Sequence, residues 1–256
     1  MVSEDWLRPD WPAVAKVQAL VTTRRGGFSS GDFASFNLAL HVGDDARHVE
    51  LNRARLQTEI GTEYPLHWIR QVHGTRVWKL DRDAVSTSLP EADAIYTREP
   101  GQACAILTAD CLPVFFCSRD GREIALAHAG WRGLAGGILE ATLACFQNAP
   151  DAILAWFGPA IGPAHFEVGA EVRERFMMAS STGLQQQLAP AFTRSARHAD
   201  KWRADLYRLA RVRLRAAGLE DIYGGELCTF SDNDNFYSYR RQPRTGRMAS
   251  VIYKTA

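Results

Sequence analysis

Short apolar runs punctuate the chain. Residues 17–22, 66–72, 77–80, 92–96, 103–107, 114–117, 124–127 and 152–157 are such runs, with turn-forming residues between them. Their length and spacing predict strands. Residues 222–228 and 248–253 predict two closing strands. A different period marks the helices. Val49, Leu51, Leu56 and Ile60 follow a possible cap at Asp44 or Asp45 and precede Gly61, which predicts one helix. Residues 137–145, 171–178 and 204–217 predict three more. In the last, Leu206, Leu209, Ala210, Arg213 and Ala217 keep a helical period and Gly218 is the natural stop. Gln185, Gln186 and Gln187, with Ser180, Ser181 and Pro190 nearby, predict a long surface loop. No repeat or linker divides the chain, so one domain is expected over residues 1–256. Strands outnumber helices and strict strand–helix–strand alternation is absent. The pattern therefore predicts an α+β or mixed α/β layered fold rather than a doubly wound sheet.

Composition narrows the function classes. The 256 residues carry a formal net charge of +1, so no bulk attraction to nucleic acid or an anionic membrane is implied. Residues 1–6 hold two acids and no apolar stretch, which argues against a secretory signal. No run approaches the roughly 20 apolar residues of a membrane span. The five cysteines are an odd number in a long chain, which points to a reducing, cytoplasmic setting rather than a disulfide scaffold. No CxxC pair exists, so neither a zinc ribbon nor a thioredoxin motif is present. No heptad seam is visible, and a monomer is expected.

Candidate chemistry gathers at three strand ends. His128 follows the run at residues 124–127 and opens His-Ala-Gly-Trp-Arg-Gly. His73 closes Gln71-Val72-His73-Gly74. Cys111 closes Ala109-Asp110-Cys111 ahead of Leu112-Pro113. Each lies beside Gly or Pro, where backbone can approach a ligand. Two imidazoles and one thiolate suit zinc and leave a fourth position open. The separations of 38 and 17 residues match no compact metal finger. The same residues also allow metal-free chemistry, with Cys111 as nucleophile, His128 or His73 as its base and Asp110 orienting a ring. A third reading is a binding module whose structural metal is closed by His41 or Asp110.

Other polar positions join the candidate set. Asn37, His41, Asp44 and Asp45 share one loop-like stretch, readable as turn and helix-cap chemistry or as substrate contacts. Glu167 follows a rigid Gly-Pro loop and is either an acid or base, or a helix cap. Tyr239, Arg240, Arg241, Arg244 and Arg247 form a basic cluster, readable as a solvated face or as an anion site. Arg70, Arg132 and Arg240 are the candidate phosphate binders, with Arg25 in the glycine loop behind them.

As an ordered set these motifs resemble the laccase-domain family, the YfiH type, also called polyphenol oxidase or peptidoglycan editing factor. The set comprises Gln71-Val72-His73-Gly74, Thr108 to Val114, His128 to Gly133, Asn37 to Asp45, Glu91 to Ala94, Ile161 to Gly169, and Cys228-Thr229 with Phe236 to Arg241. The resemblance runs from about Thr22 to Tyr253. Phe166 stands where the family often has Tyr. The resemblance implies a fold with mixed sheets flanked by helices. It also implies that His73, Cys111 and His128 are metal ligands. Family activities include zinc-dependent purine nucleoside and methylthioadenosine phosphorolysis and adenosine deamination. Older and parallel assignments are copper-dependent phenol oxidation and removal of L-Ser from muropeptide precursors.

Physical chemistry ranks these. Multicopper oxidation needs many histidines, whereas this chain has seven and no HxH pair. Zinc with an open position lowers the pKa of bound water toward about 7, or polarises a phosphate. The expectation is therefore a zinc enzyme, with copper as the alternative metal, acting on purine nucleosides and phosphate. Asp110 and Glu167 are its candidate proton carriers.

Overall fold

The computed structural model describes residues 5–80 and 89–255; the first four residues of the charged opening lie outside the described residues. In chain order the strands are β1 (Val17–Val21), β2 (Leu66–Trp68), β3 (Val77–Lys79), β4 (Ala94–Thr97), β5 (Ala103–Thr108), β6 (Leu112–Ser118), β7 (Ile124–Ala129), β8 (Ile153–Phe157), β9 (Glu167–Val168), β10 (Phe192–Arg194), β11 (Trp202–Ala204), β12 (Ile222–Gly224) and β13 (Met248–Lys254). The helices are α1 (Ala46–Ile60), α2 (Trp131–Gly136), α3 (Ile138–Leu143), α4 (Ala170–Met178), α5 (Thr182–Leu188) and α6 (Leu206–Ala216).

Two mixed sheets stack face to face. One runs β1-β13-β5-β2, with β13 antiparallel to both neighbours and β2 parallel to β5. The other runs β12-β8-β6-β7-β4-β3. A small β10-β11-β9 sheet lies apart from them. The period-2 alternation of strands explains the layering. Ile124 and Leu126 of β7, with Phe115 and Cys117 of β6, pack against Val21, Cys104, Ile106 and Ile252 of the first sheet. Ala125, Ala127 and Ala129, with Val114 and Phe116, face the helices instead, meeting Leu134, Ile138, Leu139, Phe176 and Leu209. The outer face of the first sheet, Leu20, Ala105, Val251 and Tyr253, packs on Leu56 and Ile60 of α1. The result is a helix–sheet–sheet–helix stack, and each fully buried large apolar side chain in it stabilises the fold by about 1.5–3 kcal/mol. The layered mixed fold expected from the pattern is the fold observed.

Several local expectations need correction. Residues 182–188 form α5 rather than a loop, because Gln favours helix and Leu184 and Leu188 recur on the side that meets the core. Leu51 is 50% exposed; the packed face of α1 is Val49, Asn52, Leu56 and Ile60. Asp45 caps that helix, accepting from Arg47 N. The helix expected over 137–145 is α3, shorter at both ends: Gly137 caps it at φ 102° and separates it from α2, and it closes at Leu143. The helix expected from residue 204 starts at Leu206, capped by Asp205, and residues 202–204 are β11 instead. The strands expected over 66–72 and 222–228 stop at Trp68 and Gly224. Among the described residues no helix is long and apolar enough to cross a membrane.

Candidate metal centre

Three connections deliver the three candidate ligands to one edge of the stack. His128 continues the Ile124–Leu126 side of β7, so alternation turns its ring between the sheets. It is 3% exposed, and its Nδ1–H donates to Asp93 Oδ1 at 2.8 Å. His73 follows β2. Where that strand ends, the Gln71 side-chain amide takes over its place on β5, donating to Leu107 O and accepting from Leu107 N, both at 2.8 Å. Val72, His73 and Gly74 then direct three successive backbone N–H groups at the Asp93 carboxylate, at 3.2, 2.9 and 2.6 Å. One fully buried acid thus orders both histidine segments. Cys111 sits in the turn that carries the chain from β5 in one sheet to β6 in the other. Asp110 clasps that turn: Oδ1 accepts from the Thr229 hydroxyl at 2.6 Å and Oδ2 from Arg240 N at 2.7 Å.

Among the described residues, His73 (φ 58°) and Asp110 (φ 90°) are the non-glycine positions with positive φ. Such conformations cost about 1–3 kcal/mol each and persist where the surroundings over-determine them. Here the surroundings are the Asp93 nest and the Thr229–Arg240 clasp. Gly130 completes the approach. A Cβ there would lie 2.7 Å from His73 Cδ2 and 3.1 Å from Cys111 Sγ.

The ligand atoms of His73, Cys111 and His128 lie within 4.8 Å of one another, with Cys111 Sγ 3.8 Å from His73 Nε2. Burial opposes ionisation of the Cys111 thiol, but the His128 and His73 rings more than offset it and hold its pKa below the ordinary thiol value. Burial likewise opposes charge on His128, and Cys111 and Asp93 reverse that and raise it. Asp93 is depressed: its burial is outweighed by His128 and the backbone donors. A thiolate beside two imidazoles, one of them held by a carboxylate through its far nitrogen, is the donor set and outer support of a metal site. The three side chains fit the donor set that would hold a metal ion.

The ligand group lines a pocket of about 820 Å³. Of the candidates named from sequence, His41, Arg70, Asp110, Arg132 and Arg240 line it together with the three ligands. Arg70 pairs with Glu91, and the Arg240 guanidinium donates to Glu167 O at 2.7 Å. Arg132 lies 4.5 Å over the Trp131 ring. The structure does not bring Asn37, Arg25 or Glu167 to the pocket lining. Asn37 is wholly buried, pairing with Ala39 and Asp44 and accepting from Arg247 N at 2.9 Å. Arg25 donates to Asp234 O at 3.0 Å. The Glu167 carboxylate accepts from Ser195 at 2.5 Å and meets His198 at 2.9 Å.

Sequence reading assigned no role to Asp93 and did not name Arg53. Asp93 carried a faint signal, an acid inside the apolar run 92–96 and within the Glu91 to Ala94 motif. Arg53 carried none, being one charge among several on α1. Arg247 belongs to the basic cluster read as a solvated face or an anion site; it lines the pocket with Arg53, whereas Arg241 spends its guanidinium on the carbonyls of Thr229, Phe230 and Phe236. Burial, then Arg247 and Arg53, lower the pKa of His41.

Comparison with known proteins identifies the fold and the family. A family model described as multi-copper polyphenol oxidoreductase laccase matches residues 18–255. Purine nucleoside phosphorylase PA4543 of Pseudomonas aeruginosa is 51% identical, over 97% of this chain and 98% of its own length. Purine nucleoside phosphorylase YfiH of Escherichia coli is 49% identical, over 96% and 97%. The crystal structure of NMB0706 from Neisseria meningitidis, of the family termed DUF152, superposes with a TM-score of 0.91 at 43% identity, covering 99% of this chain and all of that one. With the fold and nearly the whole length in common, the chain belongs to the laccase-domain family that includes YfiH.

Proposed function

We propose that the protein is a zinc-dependent purine nucleoside phosphorylase, with His73, Cys111 and His128 holding the ion. One observation carries this reading: a pocket of nucleoside size in which the ligand group faces Arg53, Arg132 and Arg247. Bound zinc would supply Lewis-acid polarisation at the open position. The names of the relatives from Pseudomonas aeruginosa and Escherichia coli support the same activity.

The residues divide the work. Arg53 and Arg247 flank His41 and use backbone carbonyls for only part of their guanidinium donors, leaving N–H groups for orthophosphate. Of the three phosphate binders named from sequence, Arg70 is paired with Glu91, whereas Arg132 stacks on Trp131 and Arg240 spends only Nη1 on carbonyls, so both keep N–H groups for the anion. Phe166, Ile161 and Tyr239 offer apolar surface for a purine. In the reaction the glycosidic C–N bond breaks, an oxygen of dihydrogen phosphate bonds to the ribose carbon, and the proton that the phosphate gives up goes to the departing purine nitrogen.

Hydrolytic chemistry is less well served. Adenosine deamination and amide cleavage both need a proton carrier near the attacked carbon. Asp110 is the one carboxylate among the described lining residues, and both its oxygens are taken. Multicopper oxidation would need further histidines, and the described lining adds only His41 to the pair in the ligand group.

Purified protein with stoichiometric zinc, given inosine and phosphate, is expected to release hypoxanthine and ribose 1-phosphate. Protein that binds zinc yet yields neither product would refute the proposal, and ammonia release from adenosine would redirect it to deamination.

A further inference from the structure

The end of the stack opposite the metal centre carries a second, basic groove of about 920 Å³. Arg122 borders it just before β7 begins, whereas His128 lies near the end of that strand. Six residues at about 3.3 Å each separate the two regions by ~20 Å. Five cations from five separate segments line the groove: Lys16, Lys79, Arg98, Arg122 and Lys254. Glu99 is the one carboxylate among the described lining residues. Arg122 also has Asp120 at 3.6 Å. In a chain of net charge +1 this is a marked local excess.

Lys254 is the floor of the groove. It is 4% exposed, and its ammonium donates to the backbone carbonyls of Arg98 and Arg122, so it anchors the two segments whose side chains form the walls. No carboxylate of the described residues pairs with it directly. Burial, then Lys16, lower its pKa, with Arg98 adding to the effect and Glu99 and Asp120 opposing it. The nearby buried carboxylate, Glu123, is occupied by Tyr96, Gln147 and Asn148. A buried ammonium facing a concave rim of further cations focuses positive potential into the groove. The lowest-energy complement is an anion that carries several charges along its length, because one orthophosphate cannot span cations distributed over so large a space.

We infer that this groove is a second ligand site, for a small molecule bearing a chain of two or three phosphates. The inference is independent of the chemistry at the metal centre. Isothermal titration with sodium tripolyphosphate and with orthophosphate, each at low and at high salt, tests it. Tripolyphosphate is expected to bind the wild type at least ten-fold more tightly than orthophosphate, and less tightly as salt rises. Lys16→Glu and Arg98→Glu, both at exposed positions, are each expected to weaken it at least ten-fold while leaving the thermal melt unchanged. Cys111→Ala is expected to bind as the wild type does. ATP in a parallel titration names the source: equal affinity means the phosphate chain alone is read, tighter affinity means a nucleotide. Two results overturn the inference: tripolyphosphate binding no tighter than orthophosphate, or tripolyphosphate binding that Cys111→Ala abolishes and neither charge reversal moves.

Discussion

Asp93 accepts the Nδ1 proton of His128 at 2.8 Å, and the same carboxylate collects the backbone N–H groups of the His73 loop. The two imidazoles therefore share one support. Asp93→Asn keeps the size and loses the charge, so it is expected to lower metal affinity by about 10–100-fold with the fold intact. Asp93→Ala leaves the donors unpaired and should cost about 3–5 kcal/mol. Metal titration against a competing chelator, with denaturant melts, separates the two effects. Wild-type affinity in Asp93→Asn would show that the carboxylate does not tune the site.

Gly130 marks the closest approach of β7's extension to the other two ligands. A methyl group there would press on His73 Cδ2 at 2.7 Å and Cys111 Sγ at 3.1 Å, and neither is the end of a long flexible chain. Gly130→Ala is expected to displace His73, reduce bound metal well below one equivalent and change the melting temperature little. Full metal occupancy in that variant would mean the loop yields without harm.

The five thiols divide by environment. Burial pushes the Cys104 and Cys117 thiols up to about 12. Cys111 is lowered by its two histidines despite burial. Iodoacetamide on chelator-treated native protein should label Cys111 well before Cys104 or Cys117, since the thiolate is the reactive form. Added zinc should suppress that labelling. Peptide mass spectrometry reads the order; early labelling of Cys104 would contradict the packing of β5.

Glu123 gives the pH prediction. Burial would raise its carboxyl, but donors from Gln147, Tyr96 and Asn148 outweigh burial and depress it below its ordinary 4.5. A depressed carboxyl contributes stability that is present above the unfolded value and is lost as pH falls through the folded one. Stability should therefore decline from about pH 4.5 downward, and Glu123→Gln should flatten that decline while costing roughly 1–3 kcal/mol at neutral pH. Urea melts at pH 3.5, 4.5 and 7 decide it; an unchanged acid limb in the variant would remove Glu123 as its source.

The three candidate ligands could be picked out because each stands at a junction beside Gly or Pro: His73 before Gly74, Cys111 before Leu112-Pro113, and His128 before Ala129-Gly130; the fold brings them together. The layered architecture was legible because most of its strands are apolar enough to be seen without their partners. What stayed hidden depends on long-range pairing. Asp93 looks like a turn acid until the fold sets it against a loop twenty residues earlier and a ring thirty-five residues later. Asn37 looked like a substrate contact because a buried amide and a pocket amide are spelled identically. Glu167 was persuasive for its position after Gly162-Pro163, yet its short strand turns the carboxylate toward Ser195 and His198. The α5 helix was missed because the flanking Ser180, Ser181 and Pro190 suggest a loop, and the packing of Leu184 and Leu188 on the core shows only in the fold.

The seam between the two sheets has a consequence beyond catalysis. His73 trails a strand of one sheet, Cys111 bridges the pair, and His128 belongs to the other. An ion held by all three would act as a rivet through both layers. Its occupancy and the breathing of that edge are then one equilibrium: free metal raises the unfolding midpoint by mass action, and every transient gaping of the edge is an opportunity for the ion to leave.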